Sequence, residues 1–127
     1  MRYLLDTHIL IWSFENEKKL SKNILATISN QSNELFFSSA SLWEIAIKIS
    51  NDKLKLEYGF SDFQQKLDKN KIFEIPVSRK YTTEIIELSH IHNDPFDRIL
   101  IATAKIENMT IITVDKNIWQ YNVECLW

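Results

Sequence analysis

Short apolar runs alternate along this chain with segments whose apolar residues recur at helical spacing, and that alternation restricts the folds open to it. The runs are residues 2–6, Leu35-Phe36-Phe37, 73–77, 110–114 and 121–126. Between them stand helix-like patterns: Ile24, Leu25 and Ile28 after Ser21; Leu42, Ile45, Ala46 and Ile49; Phe60, Phe63 and Leu67; Tyr81, Ile85 and Leu88; and Phe96, Ile99, Leu100, Thr103 and Ile106. The first run is almost wholly apolar, as in a central strand covered on both faces. Parallel neighbours need crossover connections, and the intervening helices supply them. The expected fold is therefore α/β, a central parallel sheet of about four to five strands flanked by helices on both faces.

At 127 residues, with no repeat, low-complexity run or linker, the chain is expected to form one domain, 1–127. No apolar run approaches the roughly 20 residues that cross a bilayer, and the amino terminus enters the first strand without a cleavable apolar region. The single cysteine, Cys125, can make neither an internal disulfide nor a thiolate cluster, and reads as a small packed residue. These features point to a cytoplasmic protein with no membrane partner. A net charge of −2 argues against a protein that coats nucleic acid by bulk electrostatics. It leaves room for a nuclease whose metal ion supplies positive charge locally.

Four carboxylates stand beside the apolar segments. Asp6 ends the first strand, Glu44 lies in the segment that follows Ser38, Asp97 opens Ile99-Leu100-Ile101-Ala102, and Asp115 follows Ile111-Ile112-Thr113-Val114. A carboxylate beside a core is costly unless something pairs with it, and a divalent cation would. In parallel sheets functional residues gather at the carboxyl ends of strands, and Asp6, the Ser38-Ser39 region and Asp115 all follow strands directly. Mg²⁺ or Mn²⁺ takes oxygen ligands, can activate water and can offset charge on a phosphorane, which implies phosphodiester hydrolysis.

Thr7, Ser38 and Thr113 place hydroxyls beside these acids, where they could orient carboxylates or metal-bound water. Helix capping is an equal reading for Thr7 and Ser38. Arg98 and Lys48 are candidates for phosphate contact, although Lys48, four residues after Glu44, also suits an ordinary helical ion pair. Asp94 reads as a helix cap, whereas Asp97 carries the stronger functional reading. His8 suits packing or a helix-start hydrogen bond, and His90 and His92 read as loop residues with only a weak metal signal. Trp12, Trp43, Phe36 and Phe37 are expected in the core, and Trp119 and Trp127 are candidates for a partner or dimer surface.

Taken together, Leu4-Leu5-Asp6-Thr7-His8, the stretch from Ser38 to Lys48, the stretch from Asp94 to Ala102 and Thr113-Val114-Asp115 resemble a PIN-domain nuclease of the VapC-like toxin group. The four segments occur in the family's order and span nearly the whole chain. The resemblance implies a PIN fold and a Mg²⁺- or Mn²⁺-dependent endoribonuclease acting on RNA as the toxin of a toxin–antitoxin pair. It also implies a homodimer and a cognate antitoxin that blocks the site. It maps the acidic site onto Asp6, Glu44, Asp97 and Asp115, with Thr7 and Thr113 in support. The alternative is a catalytically inactive PIN-like protein-interaction or RNA-binding module. A phosphoacceptor receiver domain fits less well, because it calls for adjacent acids after the first strand and a lysine after the last.

Overall fold

Side chains of the first strand alternate between two cores: Tyr3 and Leu5 pack into one apolar cluster, Leu4 into another, and all three are buried. This period of two places a separate core on each face of the sheet. The computed structural model describes residues 1–127. Its elements are β1 (Arg2–Leu5), α1 (Thr7–Glu15), a 3₁₀ turn at Glu17–Lys19, α2 (Lys22–Ser29), β2 (Glu34–Ser38), α3 (Ser39–Ser50) and α4 (Gly59–Lys69). They continue as β3 (Ile72–Ile75), α5 (Arg79–Glu87), α6 (Pro95–Glu107), β4 (Thr110–Ile112), α7 (Lys116–Trp119) and β5 (Cys125–Leu126). All pairings are parallel, in the order β3-β2-β1-β4-β5, with Leu4 beside both Phe36 and Ile111.

The α/β class, the parallel sheet and the helices on both faces agree with the sequence reading. One cluster joins Leu5, Leu35, Phe37 and Ile112 of the sheet to Ile9, Ile24, Ile45, Phe63 and Leu67, from α1 to α4. The other joins Leu4 and Ile111 to Tyr81, Ile99, Ile101 and Ile118, from α5 to α7. Helix α6 is buried without a break from Arg98 to Ala104. Such continuous burial suits a helix lying flat on a sheet and covered by neighbours.

Several boundaries differ from expectation. The fifth strand is only Cys125–Leu126, since Tyr121 is used as a buried anchor and the residues after it bend toward the sheet edge. The third strand stops at Ile75, ahead of Pro76, which has no amide to donate to a ladder. Ser78 precedes α5 but makes no side-chain cap, and its buried hydroxyl has no partner. Trp43, expected in the core, is 64% exposed. It lies off the stripe formed by Leu42, Ile45 and Ile49, and packs edge-on against Phe96 at 5.2 Å between ring centroids. Trp12 and Phe36 are partly buried against the two clusters, and Phe37 lies within one.

Candidate active site

Chains leaving β1 and β4 run to opposite sides of the sheet: β1 leads to β2, and β4 leads to β5. A crevice opens at the carboxyl ends of such a pair, because no connection passes over it. Asp6 follows β1 directly, and Thr113 follows β4 directly. The Asp6 amide donates to Ile112 O at 3.1 Å, so the two strand ends are joined at this point.

Asp6 is 97% buried by its 3% exposure and has both carboxylate oxygens engaged. Oδ1 caps α1 by accepting from the Ile9 amide at 3.0 Å, and Oδ2 accepts from the Thr113 hydroxyl. Burial raises the Asp6 pKa above its ordinary value, while the Thr113 and Ile9 donors oppose the rise. Thr113 Oγ1 also accepts from the Asp115 amide at 3.0 Å. Asp115 in turn caps α7, its Oδ1 accepting from the Asn117 amide at 2.8 Å. One buried hydroxyl therefore connects two of the four acids.

Asp97 comes to the crevice from the first turn of α6. Asp94 caps that helix, accepting from the Phe96 amide at 2.8 Å and the Asp97 amide at 3.3 Å, with Pro95 as the first residue. The capping reading of Asp94 holds. The Asp97 carboxyl is pushed up to about 7, chiefly by burial and then by the Asp94 charge, with the Asp6 charge adding to the rise and the His92 hydrogen bond opposing it. Asp6 and Asp97 thus lie close enough to feel each other's charge.

His92, read from the sequence as a loop residue with only a weak metal signal, joins the acids in the structure. Its Nε2 lies 2.7 Å from Asp97 Oδ2 and 3.7 Å from Asp115 Oδ2. His92, Asp94 and Asp97 hold potential ligand atoms within 4.8 Å of one another. The spacing His92-Asn93-Asp94 was the available signal, but a turn before a helix gives no indication of where an imidazole will point.

Glu44 stands in the second turn of α3. Thr7 Oγ1 donates to Ser41 Oγ at 3.0 Å, and Glu44 lies three residues after Ser41, on the same helical face. Its Oε2 pairs with Lys48 Nζ at 3.0 Å, which is the ordinary helical ion pair weighed above. Its Oε1 is buried with no partner. Buried carboxylate oxygens are rarely left so, because the lost hydration costs free energy. Carboxylate oxygens are the donors that a hard divalent cation takes, and the structure gathers potential ligand atoms most closely at His92, Asp94 and Asp97, with Glu44 adding an unpartnered buried oxygen on α3.

The remaining candidates take other roles. Ser38 caps α3, accepting from the Ala40 amide at 3.1 Å. Thr7 does not cap α1, since Asp6 does. His8 is exposed, with its ring 5.9 Å from that of Trp12. Arg98, a candidate for phosphate contact, is instead buried, and its guanidinium donates to Ser89 O, Ile85 O, Leu88 O, His92 O and the Tyr121 hydroxyl at 2.8 to 3.4 Å. The chain leaving α5 presents Leu88 O and Ser89 O with no amide partner, and the planar fork of Arg98 satisfies them while also reaching Ile85 O, which accepts from the Leu88 amide. Trp119 donates its indole N–H to Thr113 O at 3.0 Å, and Trp127 packs edge-on against Trp12. The Cys125 thiol is half-buried and pushed up to about 11 by burial, as expected of a packing residue rather than a nucleophile.

The PIN domain family model matches residues 3–124. Three solved structures are similar in fold. A chain of VapBC2 from Rickettsia felis, bound to a DNA fragment from their promoter, superposes with a TM-score of 0.73 at 23% identity, covering 99% of this chain and 98% of that one. A chain of VapBC-1 from nontypeable Haemophilus influenzae gives 0.75 at 17% identity over 99% and 97%. A chain of FitAcB from Neisseria gonorrhoeae gives 0.64 at 16% over 98% and 96%. No curated protein matches the chain in sequence.

Proposed function

This chain belongs to the PIN domain family, and from that premise we propose that it is a metal-dependent endoribonuclease acting as the toxin of a toxin–antitoxin pair. In this reading Asp6, Glu44, Asp97 and Asp115 hold Mg²⁺ or Mn²⁺. The observation that supports it is the chain of contacts at the β1–β4 crevice, in which Thr113 links Asp6 to Asp115 and His92 links Asp115 to Asp97, together with the unpartnered buried Oε1 of Glu44.

A divalent cation in such a site supplies an activated water and offsets charge on a phosphodiester oxygen. The chain's own part is positioning and electrostatics. Thr113 fixes the Asp6 carboxylate, the α1 and α7 amide caps turn Asp6 and Asp115 to defined rotamers, and the Asp94 cap sets the start of α6 from which Asp97 projects. Desolvation raises Asp6 and Asp97, so their ionised forms gain most from a cation nearby. Few cationic side chains stand beside the acids, which fits an RNA chosen by local shape and single-stranded access.

The protein partners follow from the same family reading. The similar chains come from two-component assemblies, one of them seen on DNA, and this supports a cognate antitoxin here. Trp43, Val77, Pro95, Phe96, Ile99 and Ala40 line an apolar depression of about 220 Å³ with Trp43 largely exposed, which supports a protein-covered surface and a homodimer.

The test is cleavage of structured and single-stranded RNAs by purified protein in Mg²⁺, Mn²⁺ or EDTA, beside Asp97→Asn. Metal-dependent cutting absent from the variant is expected; equal inertness of both proteins that also bind no cation would overturn the reading. One observation favours a second reading, an inactive binding module: Lys48 and His92 already supply donors to Glu44 and Asp97. That module would bind RNA or protein equally well in EDTA.

A further inference from the structure

The loop between α5 and α6 is polar and has no regular structure, yet one of its residues is fixed at both backbone groups by buried side chains. The His92 amide donates to the Tyr121 hydroxyl at 2.9 Å. The His92 carbonyl accepts from Arg98 Nη1 at 3.3 Å and from the Tyr121 hydroxyl at 3.4 Å. Arg98 and Tyr121 are joined at 3.1 Å, and both are buried. Ordering a loop residue costs conformational entropy, and here two long side chains from distant parts of the chain are committed to it. The result is an imidazole whose Nε2 spans carboxylates from α6 and from the segment after β4.

We propose that His92 is a positioning residue of the metal site: its ring orients Asp97 toward the cation while the buried Arg98–Tyr121 clamp holds its backbone in place. The inference rests on the metal-site reading above and adds the donor that sets the Asp97 carboxylate. His92 is the side chain that hydrogen-bonds that carboxylate, since the Asp94 cap engages the Asp97 amide and not its acid group. With Oδ2 held by the ring, Oδ1 is the oxygen left free to coordinate. Groups that orient a ligand in this way typically contribute about ten- to a hundredfold in metal affinity. Arg98 accordingly serves the site through the loop it pins.

The experiment is calorimetric titration of the full chain with Mn²⁺, using wild type, His92→Ala, His92→Gln and Tyr121→Phe, with thermal unfolding in EDTA as the control for folding. His92→Ala is expected to bind about ten- to a hundredfold more weakly. His92→Gln keeps an N–H donor at similar reach and recovers part of the loss, which a role in packing alone would not produce. Tyr121→Phe touches no carboxylate and should weaken binding in the same direction; it and His92→Gln carry the test if His92→Ala does not fold. His92→Ala binding Mn²⁺ as tightly as wild type overturns the proposal. A directly bonded imidazole nitrogen in the pulsed EPR spectrum of bound Mn²⁺ also overturns it, because His92 would then be a ligand. Wild type that binds no Mn²⁺ ends both this inference and the metal-site reading. Wild type that binds Mn²⁺ with this His92 dependence but cuts no RNA sustains the inference and ends the nuclease reading.

Discussion

The Thr113 hydroxyl donates to Asp6 Oδ2 across the crevice between β4 and β1, and Thr113 Oγ1 in turn accepts from the Asp115 amide. Thr113 is fully buried, so water cannot replace it on either side. Thr113→Val keeps the shape and removes both interactions, leaving a buried carboxylate oxygen and a backbone amide short of partners. A loss of about 1–3 kcal/mol is expected in urea denaturation, together with weaker Mn²⁺ binding. Thr113→Ser should retain most of both. If Thr113→Val matches wild type in stability and affinity, the hydroxyl is incidental.

Asp97 gives the cation-free protein a pH dependence of definite sign. Its carboxyl is pushed from 3.8 up to about 7, so between those values the folded chain holds a proton that the unfolded chain has released. Raising pH through that window therefore favours unfolding. Asp6, also raised by burial, acts in the same direction. The unfolding midpoint in EDTA should fall from pH 4 toward pH 7, Asp97→Asn should flatten the slope, and Mn²⁺ should recover stability at neutral pH by binding the folded state. Stability that rises through the window would mean that the His92 hydrogen bond outweighs burial.

Local pattern made much of this architecture legible. Each acid follows a strand or opens a helix, so the apolar runs that locate β1, β4 and α6 also locate Asp6, Asp115 and Asp97. Glu44 is placed by the period of Leu42, Ile45 and Ile49. His92 and Arg98 could not be read in this way, because their positions depend on Tyr121, 29 residues after His92, and on the carbonyls ending α5. An arginine beside an acidic motif looks the same in sequence whether it meets a phosphate or a helix end. Trp43 was misplaced because a large aromatic next to Leu42 suggests core, whereas it shares its helix side with the partly exposed Ile47.

The acids themselves should separate folding from cleavage. Asp97→Asn removes a desolvated charge from beside Asp94 and Asp6 and keeps the size of the side chain. Its unfolding midpoint in EDTA at pH 7 is expected at or above that of wild type, while metal-dependent RNA cleavage drops to background. Asp6→Asn should lose cleavage as well, but with lower stability, because both of its oxygens are engaged and an amide can replace only one of them. Full activity in both variants would remove the site from these residues.

Arg98 separates a phosphate contact from a structural clamp. Its guanidinium spreads across four backbone carbonyls and the Tyr121 hydroxyl, Nη1 being shared among three of these acceptors and Nη2 between two, a pattern that needs two forked nitrogens in one plane. Lysine offers one ammonium and cannot reproduce the fork. Arg98→Lys is therefore expected to cost about 1–3 kcal/mol in urea denaturation, and Arg98→Ala more, since the Leu88 and Ser89 carbonyls just after α5 would lose their donor. A phosphate-binding arginine behaves differently: the Lys variant would keep its stability and show a higher KM for RNA. If Arg98→Lys unfolds at the wild-type urea concentration but needs more RNA to reach half-maximal rate, the buried clamp is not what holds this loop. If stability falls and Mn²⁺ affinity falls with it, the clamp carries the order of the loop into the metal site.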